Sequence, residues 1–168
     1  NYRTSFNAWC QNECYQDEVA LDVIYRLSNL TGIAEANSEY LQLLRYESGQ
    51  YYKSHIDYVD NETERQQGPR ILTVFLYLND VEEGGETEFT LLDLKVTPKL
   101  GRAVLWPNVL NDSPHEPDTR TKHQALPVKA GMKYGANAWF HQRDFKVRIT
   151  VKHQRHFWIW YFHSATTQ

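Results

Sequence analysis

At 168 residues the chain is long enough to bury one core and too short for two domains of ordinary size. Eighteen Lys and Arg against 21 Asp and Glu leave a net charge of −3, with no basic stripe, which argues against a surface built to hold nucleic acid. No apolar run approaches the ~18 residues that span a bilayer, so no membrane contact is expected from this segment.

Cys10 and Cys14 lie in Trp9-Cys-Gln-Asn-Glu-Cys14. They are too sparse for a disulfide scaffold and lack the second Cys/His pair of a zinc finger. A local disulfide and two free thiols both remain open. Asp17 to Leu30 reads as a helix: Asp17 is a plausible N-cap, Val19, Val23, Ile24, Leu27 and Leu30 recur near helical spacing, and Gly32 is a natural stop. Asn29-Leu-Thr31 and Asn61-Glu-Thr63 are glycosylation sequons.

From there the pattern turns to strands. Leu41 to Tyr46 is apolar and strand-like, followed by a turn at Glu47 to Gln50. Arg70 to Leu78 is rich in β-branched and aromatic residues. Gly84-Gly85 breaks it, and Glu86 to Phe89 alternates. Leu94 to Pro98 and Arg102 to Trp106 read as strands around Gly101. Pro107 to Lys122 is polar and carries prolines, so it reads as a long loop. His123 to Val128, Lys133 to Phe140 and Phe145 to Val151 are the last predicted strands. The run Phe157-Trp-Ile-Trp-Tyr-Phe162 suits a strand buried on both faces, or an interaction surface. Short strands with Gly/Pro turns and one early helix predict a mainly β fold, a double-sheet jelly-roll of the cupin kind. The helix is expected on the outer face of one sheet.

Four residues carry a chemical signal. Two histidines and one carboxylate, His55, Asp57 and His123, are the donor set of a non-haem Fe(II) site with open coordination positions. If His55 and Asp57 share a strand, their i, i+2 spacing puts both on one face. Lys133 heads a late strand, where it can balance an anionic cosubstrate. His-x-Asp alone is weak, because chance supplies it often. The ordered combination is what raises the signal: His-x-Asp, a glycine-rich hairpin, a late histidine, then a lysine.

At these residues the chain resembles the catalytic domains of prolyl 4-hydroxylases, in the Fe(II)/2-oxoglutarate dioxygenase family. The matching segments are Leu41-Gln-Leu-Leu-Arg-Tyr-Glu-Ser-Gly-Gln-Tyr-Tyr-Lys-Ser-His-Ile-Asp57, Arg70-Ile-Leu-Thr-Val-Phe-Leu-Tyr-Leu78, Val81-Glu-Glu-Gly-Gly-Glu-Thr-Glu-Phe89 and His123 through Trp139, with Arg3-Thr-Ser5 ahead of the helix. The likeness runs over roughly residues 3 to 145, inside one domain spanning 1–168, and leaves the tail 152–168 unassigned. It implies a double-stranded β-helix. It implies iron ligands at His55, Asp57 and His123, and a cosubstrate carboxylate paired with Lys133 and hydrogen-bonded by Tyr46 and Thr87. It also implies a peptide groove lined by Tyr52, Arg70, Trp139 and His141, with Glu39 beside them. Tyr51 and Trp106 are further candidate aromatic lining.

The implied activity is hydroxylation of proline at C4 in proline-rich peptides, using O2 and 2-oxoglutarate, with L-ascorbate as reductant. A dioxygenase acting on another protein or a free amino acid, and a non-catalytic proline-peptide binding module, are the alternatives. An endoplasmic reticulum or Golgi lumen location is implied too, with room for an anchor ahead of Asn1. Two departures from the family pattern, the short stretch Asp60 to Gly68 and Gln124-Ala-Leu126 after the late histidine, bear on peptide preference rather than on the metal ligands.

Overall fold

A computed structural model describes residues 2–146. The chain enters through β1 (Phe6–Trp9), a single helical turn α1 (Glu13–Gln16) and the longer α2 (Glu18–Thr31). Ten strands follow: β2 (Gln42–Tyr46), β3 (Tyr52–His55), β4 (Arg70–Tyr77), β5 (Glu83–Gly84), β6 (Thr87–Phe89), β7 (Leu94–Val96), β8 (Ala103–Pro107), β9 (His123–Ala125), β10 (Val128–Ala130) and β11 (Lys133–His141). They form a five-stranded sheet ordered β1-β2-β11-β4-β8, a four-stranded sheet ordered β3-β9-β6-β7, and the small pair β10-β5. All pairings between these strands are antiparallel. This is the double-sheet architecture expected of the sequence.

The helix forms where its caps allow. Asp17 stays extended, and its carboxylate accepts hydrogen bonds from the Val19 and Ala20 N–H groups. Gly32 ends the helix in the left-handed region at φ 70°, its N–H donating to Ser28 O. Ile24 and Leu27 are buried with Val74, Ala138 and Phe140, which places α2 on the outer face of the five-stranded sheet. Burying each such side chain contributes about 1.5–3 kcal/mol.

Strand alternation builds the opposite face. On β4, Val74 joins the helix-side core, whereas Phe75 and Tyr77 belong to a second core with Leu44, Tyr46, Phe89, Trp106 and Val128, between the two large sheets. On β11, Ala138 and Phe140 likewise point to the helix, so Lys133, Gly135, Asn137 and Trp139 occupy the inner face. The site is assembled from that inner face. Gly135 is needed there because a Cβ would lie 2.4 Å from Phe75 Cζ. Gly135→Ala should therefore overpack the inter-sheet core and cost about 1–3 kcal/mol, read as a lowered melting temperature.

Several sequence expectations are revised. Residues 123–128 do not make one strand: β9 joins the four-stranded sheet, and β10 turns away to pair with β5. Asp57 sits in a bend beyond β3 rather than on it. The early strand expected to carry His55 is β3, whereas the short elements β1, α1, β5 and β10 are not evident in the sequence. Phe145 and Lys146 are bends whose N–H groups donate to Ala36 O, and the remainder of the predicted strand, with the aromatic run 157–162, lies outside the described residues. Cys10 and Cys14 are joined in a disulfide, with Cys10 in the helix-side core, so β1 is tied directly to α1. Among the described residues no helix is long and apolar enough to cross a membrane.

Candidate active site

Two sheet edges and one bend bring the three metal-type donors together. His55 closes β3 and pairs directly across from His123, which opens β9. Their ring centroids lie 4.3 Å apart. Two residues past β3 the chain bends, and the Asp57 carboxylate comes between them: Oδ1 is 3.5 Å from His55 Nε2 and Oδ2 is 3.8 Å from His123 Nε2. All three donor atoms lie within 4.8 Å of one another.

The histidine tautomers follow from their outer partners. His55 Nδ1 is 2.8 Å from Lys53 O, and His123 Nδ1 is 2.9 Å from Thr121 O. A carbonyl oxygen only accepts, so Nδ1 carries a proton in each ring, which leaves Nε2 as the inward nitrogen that a metal could take. Burial pushes the His123 pKa down, although Asp57 opposes this, so the ring favours its neutral form. Burial alone would raise the Asp57 carboxyl; contact with the His55 imidazole, the facing His123 and the Thr73 hydroxyl outweighs it and holds the group well below the usual carboxylate range. Two imidazole nitrogens and one carboxylate in this spacing fit a divalent iron.

The same pocket, with about 360 Å³ of space partly continuous with solvent, runs from these donors to Lys133. Leu44, Tyr46, Phe75, Thr87, Trp106 and Asn137 line it between. Lys133 is 1 % exposed, and its Nζ donates to Gly85 O at 2.6 Å. It sits 5.0–5.4 Å from the ring centroids of Tyr46, Phe75 and Tyr77. No carboxylate among the described residues forms an ion pair with it. Burial therefore pulls its pKa down to about 7. A buried ammonium facing a pocket, without a protein counter-charge, is suited to a ligand carboxylate. Gly85 itself adopts φ 72°, and that turn aims its carbonyl at the lysine.

Tyr46 lies on β2 directly across from Lys133. Thr87 lies on β6, and its Oγ1 accepts a 2.7 Å hydrogen bond from Tyr77 OH. Tyr77 escaped the sequence reading, although the alternation of β4 places it on the inner face with Phe75. Its burial raises the phenol pKa to about 12, which keeps it a hydrogen-bond donor.

The residues expected in a groove fall into two groups. Tyr52 stacks on His55 with ring centroids 3.8 Å apart, and the Arg3 guanidinium lies 5.0 Å above the Tyr52 ring. On the far side of the metal donors, Arg70 lies 3.9 Å over the Trp139 ring and donates to Glu39 at 2.5 and 3.2 Å. Glu39 also meets His141 Nε2 at 2.9 Å, and His141 Nδ1 donates to Gly68 O at 2.8 Å. His141 and Glu39 are buried, as is the Trp139 ring beneath the Arg70 guanidinium, so His141 and Glu39 hold Arg70 in place rather than presenting surface. Burial opposes ionisation of Glu39, but His141 and Arg70 overcome it and lower its pKa. Trp9 reaches the same corner, with its ring centroid 5.8 Å from that of Trp139. Trp106 borders the pocket, its centroid 4.6 Å from the His123 ring, whereas Tyr51 does not line it.

Comparison with known proteins identifies this arrangement. The 2OG-Fe(II) oxygenase superfamily matches residues 41–141. Prolyl 4-hydroxylase subunit alpha-2 of Gallus gallus is 36 % identical over 146 residues, which are 85 % of this chain and 27 % of that protein. The alpha-1 subunit of Rattus norvegicus is 36 % identical over 152 residues, 88 % of this chain and 28 % of its own length. The chain thus spans about a quarter of these relatives. Among solved structures, the viral collagen prolyl hydroxylase of Paramecium bursaria Chlorella virus-1, in its 2OG complex, is 30 % identical with a TM-score of 0.72, over 83 % of this chain and 80 % of that one. A Pseudomonas putida prolyl-4-hydroxylase, at 22 % identity and a TM-score of 0.56 over 84 % of this chain and 74 % of that one, shares the fold. The chain belongs to the 2OG-Fe(II) oxygenase superfamily, as a catalytic domain of the prolyl 4-hydroxylase kind.

Proposed function

We propose that this chain is a single dioxygenase domain that hydroxylates peptidyl proline at C4. In the net reaction, O2 and 2-oxoglutarate are consumed, and 4-hydroxyproline, succinate and CO2 are formed. The observation that carries this reading is one pocket with two chemically distinct ends: the His55, Asp57 and His123 donors at its mouth and the unpaired Lys133 ammonium in its depth. Iron and 2-oxoglutarate, when bound, supply the oxidising chemistry. The protein's own part is to place groups. His55, Asp57 and His123 hold the metal. Lys133 neutralises the far carboxylate of 2-oxoglutarate, with Tyr46 and Thr87 as hydrogen-bonding neighbours and Tyr77 orienting the Thr87 hydroxyl. The aromatic walls keep water from that charge pair, which strengthens it.

The peptide is placed at the open end, between Tyr52 and the Arg70–Trp139 pair. An extended, proline-rich segment suits such aromatic walls, because polyproline II is preformed and loses little entropy on docking. The chain's relatives are prolyl 4-hydroxylases and one is a collagen prolyl hydroxylase, in support of this substrate class. L-Ascorbate is proposed as reductant on family likeness alone. A secretory-pathway location, in the endoplasmic reticulum or Golgi lumen, is supported by the Cys10–Cys14 disulfide and by the two sequons.

Incubation with a panel of proline-rich peptides, Fe(II) and 2-oxoglutarate tests the reading. A +16 Da product mapped to proline, with matching succinate, is the expected result. Iron-loaded protein that forms neither would sink it.

The pH dependence of cosubstrate binding gives a second check. Binding an anion favours the charged form of Lys133, so above its pKa of about 7 binding must take up a proton. Affinity for 2-oxoglutarate should weaken as pH rises above 7, by up to about tenfold per unit. Lys133→Arg, whose guanidinium stays charged, should flatten that slope in a titration series.

A further inference from the structure

We infer that Thr73, steered by Asn108, holds Asp57 as a one-oxygen ligand and so keeps a coordination position free. This deepens the iron-site reading and rests on it. Thr73 is 0 % exposed on the inner face of β4, and its hydroxyl donates to Asp57 Oδ2 at 2.8 Å. Asn108, immediately past β8 and 2 % exposed, donates from Nδ2 to Thr73 Oγ1 at 2.9 Å. The Asn108 Oδ1 is also near that hydroxyl, at 3.3 Å, but the shorter distance and negative charge make the carboxylate the preferred acceptor. The result is a directed chain, Asn108 to Thr73 to Asp57.

Its consequence is an asymmetry between the two carboxylate oxygens. Oδ2 is engaged by a fixed donor. Oδ1 faces His55 Nε2, which would carry no proton once it ligates metal, because metal and proton compete for the same lone pair. Oδ1 is thus the oxygen left for metal. With one oxygen from Asp57, a bound divalent iron would take three protein atoms and would keep open positions for its other ligands. A carboxylate offering both oxygens would close one of them.

The frame around Asn108 is rigid and shared. Its N–H donates to Ile71 O and its carbonyl accepts from Asp118 N–H, both at 2.9 Å. Asp118 accepts from Arg120 N–H and starts the turn Thr119–Thr121, whose last carbonyl receives His123 Nδ1–H. The loop that sets Asn108 therefore also sets the second histidine. Thr73 and Asn108 touch no reacting atom, so they are positioning residues.

The test uses the full chain with Co(II) as an oxygen-inert probe, titrated alone and with 2-oxoglutarate. In the ternary complex, wild type should keep one exchangeable position, read as a change in the Co(II) visible spectrum on adding azide. Thr73→Val should bind Co(II) about tenfold more weakly and lose that azide response. Its peptide turnover should fall in kcat with the KM for 2-oxoglutarate unchanged, since Lys133 is untouched. Thr73→Ser should restore the azide response and kcat. Asn108→Ala should weaken that response by less, and it carries the test if Thr73→Val does not fold. A wild-type azide response in Thr73→Val, or in Asn108→Ala should the first be unfolded, overturns the inference while leaving the metal site standing. Failure of the wild-type protein to bind Co(II) overturns the metal-site reading and this inference with it.

Discussion

Lys133→Ala is expected to raise the 2-oxoglutarate requirement roughly 100- to 1,000-fold while leaving metal affinity close to wild type. The size follows from what would remain. The lysine is the one cation lining the deep end of the pocket, surrounded by Tyr46, Phe75 and Tyr77, and no carboxylate among the described residues forms an ion pair with it. A cosubstrate carboxylate bound there without its partner is a buried, uncompensated charge, a loss of about 3–5 kcal/mol. Tyr46 and Thr87, which line the pocket, can still donate hydrogen bonds, which is why the effect has a ceiling. Steady-state KM for 2-oxoglutarate, set beside a Co(II) titration, separates the two ends of the pocket. A variant with wild-type KM would place the cosubstrate carboxylate elsewhere.

His123→Ala is expected to lose metal binding and turnover together. His123 is buried, Thr121 O accepts from its Nδ1–H, and it supplies one of the three donors gathered among the described residues. Disturbing an outer hydrogen-bond partner of a ligand already costs about 10- to 100-fold in metal affinity. Removing the ligand itself should cost more, and no neighbouring group among the described residues replaces it. Direct Fe(II) or Co(II) titration together with succinate formation reads both losses. The contrast between the variants matters most: one should fail in cosubstrate, the other in metal. Unchanged metal affinity in His123→Ala would remove this histidine from the ligand set.

Much of this was legible in the residues. The helix was readable because Asp17, Gly32 and the apolar repeat between them act locally, within one or two turns. The long strands β4 and β11 were readable for a similar reason: an alternating, β-rich run has few other options. The short elements were not. β5 is two residues and β10 three, and they exist because they pair with each other across more than 40 positions of sequence. No local propensity encodes such a pairing.

The candidate site divides along the same line. Residue types and their order, His55, Asp57, His123 and Lys133, pointed to iron and an anionic cosubstrate before any coordinates, because few donor sets suit that chemistry. Folding supplied what composition leaves open. It moved Asp57 off the strand into a bend, so that its two oxygens face different histidines. It drew Tyr77 up to Thr87, and it linked Asn108 through Thr73 to Asp57, over sequence gaps of 35 and 16 residues. It buried Glu39 and His141, with Glu39 held between His141 and Arg70. Ligand identity is a property of side-chain chemistry and is carried in the chain itself. Which oxygen points inward, and which cation is left unpaired, depends on contacts between strands far apart in sequence, and those exist only once the sheets close.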